Sequence, residues 1–172
     1  NIDTEKNFLS LFTAINKIAE LYNMPVLYSC HPRSQKRLES SGFQLDSRVI
    51  QHTPLGFHDY NCLQIYAFLV ISDSGTLPEE SSYFTSVGYA FPAVCIRTST
   101  ERPEAFDKGG LILSGIDTEG LLEASTMAIT MCASGHRGLP VPDYMDKNVS
   151  DKVVKIIQSY TGIVNKMVWR KE

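Results

Sequence analysis

No stretch of this sequence approaches the ~20 consecutive apolar residues of a membrane-spanning helix, and its first residues lack the basic and apolar blocks of a secretory leader. The expectation is a cytoplasmic protein without membrane contact. Positive charge is not in excess either: 16 Lys and Arg stand against 19 Asp and Glu, for a net charge of −3. The field of the whole molecule therefore does not recruit nucleic acid or an anionic bilayer, and any anion has to be held by local groups. The four cysteines, Cys30, Cys62, Cys95 and Cys132, lie in apolar segments with no C-x-x-C pair, which excludes a compact disulfide framework and points to reduced, buried thiols. His52, His58 and His136 show no metal-ligand spacing and no Cys/His set does, so no metal is expected. Also absent are the Gly-x-x-x-x-Gly-Lys-Ser/Thr phosphate loop and the Gly-x-Ser-x-Gly nucleophile elbow. There is no internal repeat, low-complexity tract or flexible linker.

What is present is 172 residues, 43% of them apolar. That length supports one well-buried core and is short for two ordinary domains, so residues 1–172 are expected to form one domain. Phe8, Phe12, Ile15, Ala19 and Tyr22 recur at helical spacing over residues 3 to 22, with Asp3 as N-cap and Glu5 favourable in the first turn. Strands then alternate with helices. Strands are expected at 25–30, 48–52, 68–72, 93–96 and 111–113; helices at 33–41, closed by Gly42, at 59–66, 77–87 and 118–132. This order argues for an α/β fold, a Rossmann-like parallel sheet with helices on both faces. Such folds normally open on a strand, whereas this chain opens on a helix, so the first strand is missing from the pattern. Past Gly138-Leu139-Pro140-Val141-Pro142 the composition changes. Ser150 can cap a last helix over 149–169, with Val153, Ile156, Ile157, Tyr160, Val164 and Met167 on its apolar side. Some 18 residues of helix span about 27 Å, enough to reach a neighbouring domain.

The stretch ISDSGTLPEESSYF, residues 71 to 84, interrupts a buried apolar run with Ser72-Asp73-Ser74-Gly75 and then places Glu79 beside Glu80. It falls at the carboxyl end of a parallel strand, the edge where open α/β sheets bind ligands. Gly75 allows close backbone approach, Ser74 and Thr76 add hydroxyl donors, and the following helix start suits a phosphate. Glu80, one turn into the helix, can accept both hydroxyls of a vicinal diol such as a ribose. Two readings stand: a nucleotide cradle, or a capped turn whose glutamates complement the helix dipole.

Other candidates lie on the same edge. In RTSTERPEAF, residues 97 to 106, Arg97 and Arg102 can clamp phosphate oxygens or form surface ion pairs with Glu101 and Glu104. His31, just past the first strand, can bond a phosphate or sugar, or cap the helix that begins near Pro32. Tyr60 can stack on a base or sit in the core.

Together, SDSGT..EE at 72–80, TERPE at 100–104 and SGID at 114–117 closely resemble the non-hydrolysing UDP-N-acetylglucosamine 2-epimerase family. The commoner family form reads Ser/Thr-Asp-Ser-Gly-Gly-x-Gln-Glu-Glu; here Thr76 replaces the second glycine and Pro78 the glutamine. That variant, with the ending NVSDKVVKIIQSYTGIVNKMVW at 148–169, resembles the UDP-N-acetyl-L-fucosamine synthase branch of capsule and O-antigen synthesis. The resemblance implies the C-terminal half of a two-domain, GT-B-like enzyme with the active site between the halves. The missing strand would then end in a His-Arg-x-x-Asn segment closing on Asn1, and the catalytic carboxylates would belong to the N-terminal domain. It implies inversion at C2 of a UDP-N-acetylhexosamine by elimination and re-addition of UDP, without metal or nicotinamide cofactor. By similarity Ser74, Gly75 and Thr76 hold the pyrophosphate, Glu80 the ribose, Tyr60 the uracil face and Arg102 the phosphates, with His31 near the sugar. Relatives are often homodimers, and an isolated domain of this kind is expected to be inactive. Two other functions share the nucleotide edge: the donor domain of a GT-B glycosyltransferase, and a non-catalytic UDP-sugar-binding domain.

Overall fold

The computed structural model describes residues 4–30 and 32–171. Contacts group the chain into two compact units, Asn1–Val141 and Pro142–Glu172.

The first unit opens on α1 (Glu5–Tyr22), whose N-cap is Thr4: its hydroxyl accepts the Asn7 N–H at 3.2 Å. Asp3, the expected cap, lies outside the described residues, and the role falls to its neighbour. The apolar stripe is buried as the spacing predicts, with Phe8, Leu11, Phe12, Ile15, Ile18 and Ala19 all inside. Phe12 is fully buried and meets the Tyr28 ring edge-on at 5.3 Å. The helix ends at Asn23, which takes a left-handed conformation and donates its N–H to the Glu20 carbonyl.

Five short strands follow, each leading into a helix: β1 (Val26–Ser29) and α2 (Pro32–Ser41), β2 (Val49–His52) and α3 (Phe57–Ile65), β3 (Val70–Ser72) and α4 (Leu77–Ser86). Then come β4 (Ala93–Cys95) with α5 (Pro103–Asp107), and β5 (Ile112–Leu113) with α6 (Thr118–Ala133). All pairings are parallel, with Val26 opposite Val49, Val70 opposite Ala93 and Val94 opposite Ile112. The parallel α/β reading is therefore correct, as is the place of each expected element. The short helix α5 was not anticipated; Pro103 at its start supplies the preset backbone angle of a first helical turn.

One difference concerns continuity. The strands form two sheets, β1-β2 and β3-β4-β5, although both feed one core: Val49 from the first and Val94 from the second cluster with α1 and with Leu121, Ala124 and Ala128 of α6. Burial pushes the Tyr28 hydroxyl of β1 up to about 12, with smaller contributions from Cys30 and then from the charge of Asp73.

Cys30 and Cys95 are buried, and burial raises both thiols. Cys132 is half-buried, and Cys62 is exposed on α3. The expectation of four buried thiols fails at Cys62 because its position on the helix turns it away from the core, which Gln64 enters instead. No helix among the described residues is long and apolar enough to cross a membrane.

The second unit holds a 3-10 turn, Pro142–Tyr144, and α7 (Val149–Met167). Its N-cap is Asn148, in a left-handed conformation and without a side-chain cap bond, so Ser150 lies inside the first turn rather than before it. Val153, Ile156, Ile157, Tyr160, Val164 and Met167 are all exposed.

Candidate functional site

The β3–α4 turn is built from short polar side chains that bond to one another. Ser72 Oγ accepts the Ser74 N–H at 3.0 Å, and Ser74 Oγ accepts the Thr76 N–H at 3.3 Å. Among the described residues no acceptor takes up the Gly75 N–H. Thr76 is the N-cap of α4 by position but makes no side-chain cap bond. Its hydroxyl lies 2.9 Å from Ser74 Oγ and donates to Glu80 Oε1 at 2.9 Å. Of the amides from Gly75 to Leu77, that of Gly75 is the one left unbonded, and with Pro78 in the first turn the helix start is preset for helical geometry.

Glu80 is held from a second side. Gln64 Nε2, on α3, donates to Glu80 Oε2 at 2.8 Å and to the Tyr60 hydroxyl at 2.8 Å. Burial, followed by the Glu80 charge, raises the Tyr60 hydroxyl. Tyr60, Gln64, Glu80, Thr76 and Ser74 form one hydrogen-bonded chain from α3 to the turn. Four of these were candidates from the sequence; Gln64 was not. It is 5% exposed, and its Oε1 has no partner among the described residues, a condition that commonly costs ~1–3 kcal/mol. The signal that finds it is spacing: Gln64 stands four residues after Tyr60, on the same helical face.

The adjacent glutamates divide their tasks. Glu79 Oε1 accepts from Arg102 Nε at 2.9 Å, while its Oε2 is buried without a hydrogen-bond partner. Arg97 is the arginine at the turn: Nε donates to the Asp73 carbonyl at 2.6 Å. A Cβ placed on Gly75 would stand 3.8 Å from Nη2 and 4.0 Å from Nη1. Both arginines flank β3–α4, but the guanidinium over the turn belongs to Arg97. His31 and Asn1 lie outside the described residues.

An unbonded amide at Gly75 beside a guanidinium, and a carboxylate fixed from both sides, are groups whose chemistry can take an anion and, next to it, a diol. The turn is anchored behind by α4, where Leu77 is fully buried and Ser81 donates to the Gly110 carbonyl at 2.7 Å.

The family model described as UDP-N-acetylglucosamine 2-epimerase matches residues 1–158. The UDP-N-acetylglucosamine 2-epimerase of Methanococcus maripaludis is 34% identical over 128 residues, covering 71% of this chain and 33% of the relative. The UDP-2,3-diacetamido-2,3-dideoxy-D-glucuronate 2-epimerase of Pseudomonas aeruginosa is 28% identical over 129 residues, covering 75% of this chain and 34% of that protein. The structure of UDP-N-acetylglucosamine 2-epimerase from Rickettsia bellii superposes with a TM-score of 0.85 at 35% identity, over 98% of this chain and 45% of that one. The Methanocaldococcus jannaschii enzyme, crystallised with UDP-GlcNAc and UDP, gives 0.79 at 25% identity, over 92% and 42%. This chain thus spans about a third of the curated relatives' length. The motifs at 72–80, 100–104 and 114–117, the parallel α/β order and these likenesses agree: the chain belongs to the UDP-N-acetylglucosamine 2-epimerase family.

Proposed function

We propose that this chain is the UDP-holding part of a UDP-N-acetylhexosamine 2-epimerase, and that it seats UDP at the β3–α4 turn. The observation that carries the reading is the linked set at that turn, with Arg97 over Gly75 and Glu80 fixed by Thr76 and Gln64. The pyrophosphate lies against the Gly75 N–H, the Ser74 and Thr76 hydroxyls and the Arg97 guanidinium. The ribose diol donates to Glu80, whose two oxygens retain lone pairs beyond the bonds from Thr76 and Gln64. Tyr60 offers its ring to uracil, and Arg102, paired with Glu79, orders the phosphate edge.

In the reaction, a base removes the proton at C2 as the C1–O bond to UDP breaks, leaving a 2-acetamidoglycal. Protonation of C2 on the opposite face and return of UDP to C1 complete the inversion. UDP is both leaving group and returning nucleophile, so it must stay bound between the steps. Preorganised donors stabilise its developing charge without rearranging, commonly by ~2.7–4 kcal/mol per donor. The acid and base come from carboxylates of a second domain, His31 approaches the sugar, and this domain alone is inactive.

Thr76 and Pro78 in place of the commoner glycine and glutamine, with the ending at 148–169, favour the fucosamine-type branch of cell-surface polysaccharide synthesis. NMR of the full-length protein with several UDP-N-acetylhexosamines in D2O tests the proposal. Deuterium should appear at C2 of substrate and of its C2 epimer. UDP-sugar turnover without C2 exchange, as in transfer to an acceptor, would exclude it.

A further inference from the structure

We infer that Gln64 is a positioning residue for the nucleotide cleft, fixing the ribose acceptor Glu80 and the ring of Tyr60 relative to each other through its two amide protons. The inference rests on the reading of the β3–α4 turn as the UDP seat. It concerns a residue that neither the motif nor its flanking sequence marks.

The geometry leaves Gln64 little other purpose. Its Nε2 lies 2.8 Å from both Glu80 Oε2 and the Tyr60 hydroxyl oxygen, so both donors of the NH2 group are spent on groups that would touch UDP. Its carbonyl oxygen is buried with no hydrogen-bond partner among the described residues. A side chain chosen for packing alone would not carry an amide there, because an apolar one of equal length would avoid that unpaired oxygen. The donor assignment follows from chemistry as well: the carboxylate of Glu80 only accepts, so the nitrogen must face it.

Two consequences follow for recognition. With Thr76 holding Oε1 and Gln64 holding Oε2, the carboxylate plane cannot rotate, and both oxygens stay aimed for a cis-diol. Because the Tyr60 oxygen accepts from Gln64, its own proton is left to donate elsewhere. The ring and the carboxylate are set at a fixed separation, which suits a base and ribose joined in one nucleoside. Gln64 thereby links the discrimination of the 2′-hydroxyl to the placement of the base without touching the ligand.

The test compares UDP with 2′-deoxyuridine diphosphate by calorimetry on the full-length protein and on Gln64→Met, Glu80→Ala and the double variant. Gln64→Met keeps the length of the side chain and removes both donors and the orphaned oxygen. Its thermal midpoint should hold or rise, while UDP affinity falls about tenfold and the preference for UDP over the deoxy form shrinks towards one. Adding Gln64→Met to Glu80→Ala should then change that preference no further. A Gln64→Met protein that retains the wild-type preference would overturn the inference while leaving the UDP seat intact. If the wild-type protein itself does not prefer UDP over the deoxy form, the reading of the seat fails and the inference with it. Gln64→Glu serves where the methionine variant does not fold: it keeps the volume but sets a second carboxylate against Glu80. Unchanged ribose preference in that variant would overturn the inference equally.

Discussion

The Arg97 guanidinium stands over the backbone of Gly75, close enough that a methyl group on Gly75 would touch its two terminal nitrogens at ordinary van der Waals distance. Strand β4 thus delivers a cation to the turn that leaves β3, and the Nε bond to the Asp73 carbonyl keeps it there.

Gly75→Ala should accordingly leave the fold alone and harm the ligand. The new methyl meets nothing but the tip of Arg97, so the urea midpoint should hold while UDP affinity drops. Arg97→Ala removes the charge-assisted contact, worth ~1.5–3 kcal/mol, and should weaken UDP about ten- to hundredfold by calorimetry. Equal UDP affinity in both variants and the wild type would place the phosphates elsewhere.

Core stability centres on the stripe of α1. Phe12 is fully buried among Phe8, Tyr28 and Phe43, and Phe12→Ala should cost ~3–5 kcal/mol. Urea unfolding followed by circular dichroism measures this, and a loss under ~1 kcal/mol would mean that the site collapses around the gap.

Thr4 accepts the Asn7 N–H at the start of the same helix. Thr4→Ala should lower stability by ~0.5–2 kcal/mol, whereas Thr4→Ser should restore it. The same denaturation experiment reads both.

Acid sensitivity has an assignable source at Asp46. Arg48 grips Asp46 through two bonds, Nε to Oδ1 at 2.8 Å and Nη2 to Oδ2 at 2.7 Å, and these hold the Asp46 carboxyl down from 3.8 to about 2. A depressed acid stabilises the folded state above its unfolded value and loses that contribution as pH falls through its folded one. The stability difference between the wild type and Asp46→Asn should therefore be constant above about pH 4 and shrink as the pH falls towards about 2. A difference independent of pH over that window would disconnect the pair from acid unfolding.

Much of this was legible in the sequence. The apolar stripe of α1, the short apolar runs of β1 to β5 and the polar break at 72–75 each follow from a local period or its interruption. What escaped depends on contacts between distant segments. Both arginines of 97–106 read as phosphate clamps, but Arg97 leaves β4 directly towards Gly75, while Arg102 precedes the unanticipated helix α5 and meets Glu79. Gln64 was invisible because a glutamine in a helix is usually solvated, and only the approach of α4 gives its amide a carboxylate to serve. The last helix starts at Val149 as expected, but its cap is Asn148 rather than Ser150, since a left-handed turn at asparagine can start the helix without a hydroxyl cap. The split into two sheets was equally hidden, because a short apolar run does not mark which strand it pairs with.

The central claim is the place of UDP, and a crystal structure of the full-length protein with UDP tests it most directly. The account predicts diphosphate density between the Gly75 amide and the Arg97 guanidinium, with the ribose hydroxyls ~2.5–3.0 Å from the Glu80 oxygens. Clear UDP density at the end of another strand, with Ser74, Thr76 and Glu80 keeping only the bonds they make to one another and to Gln64, would contradict it.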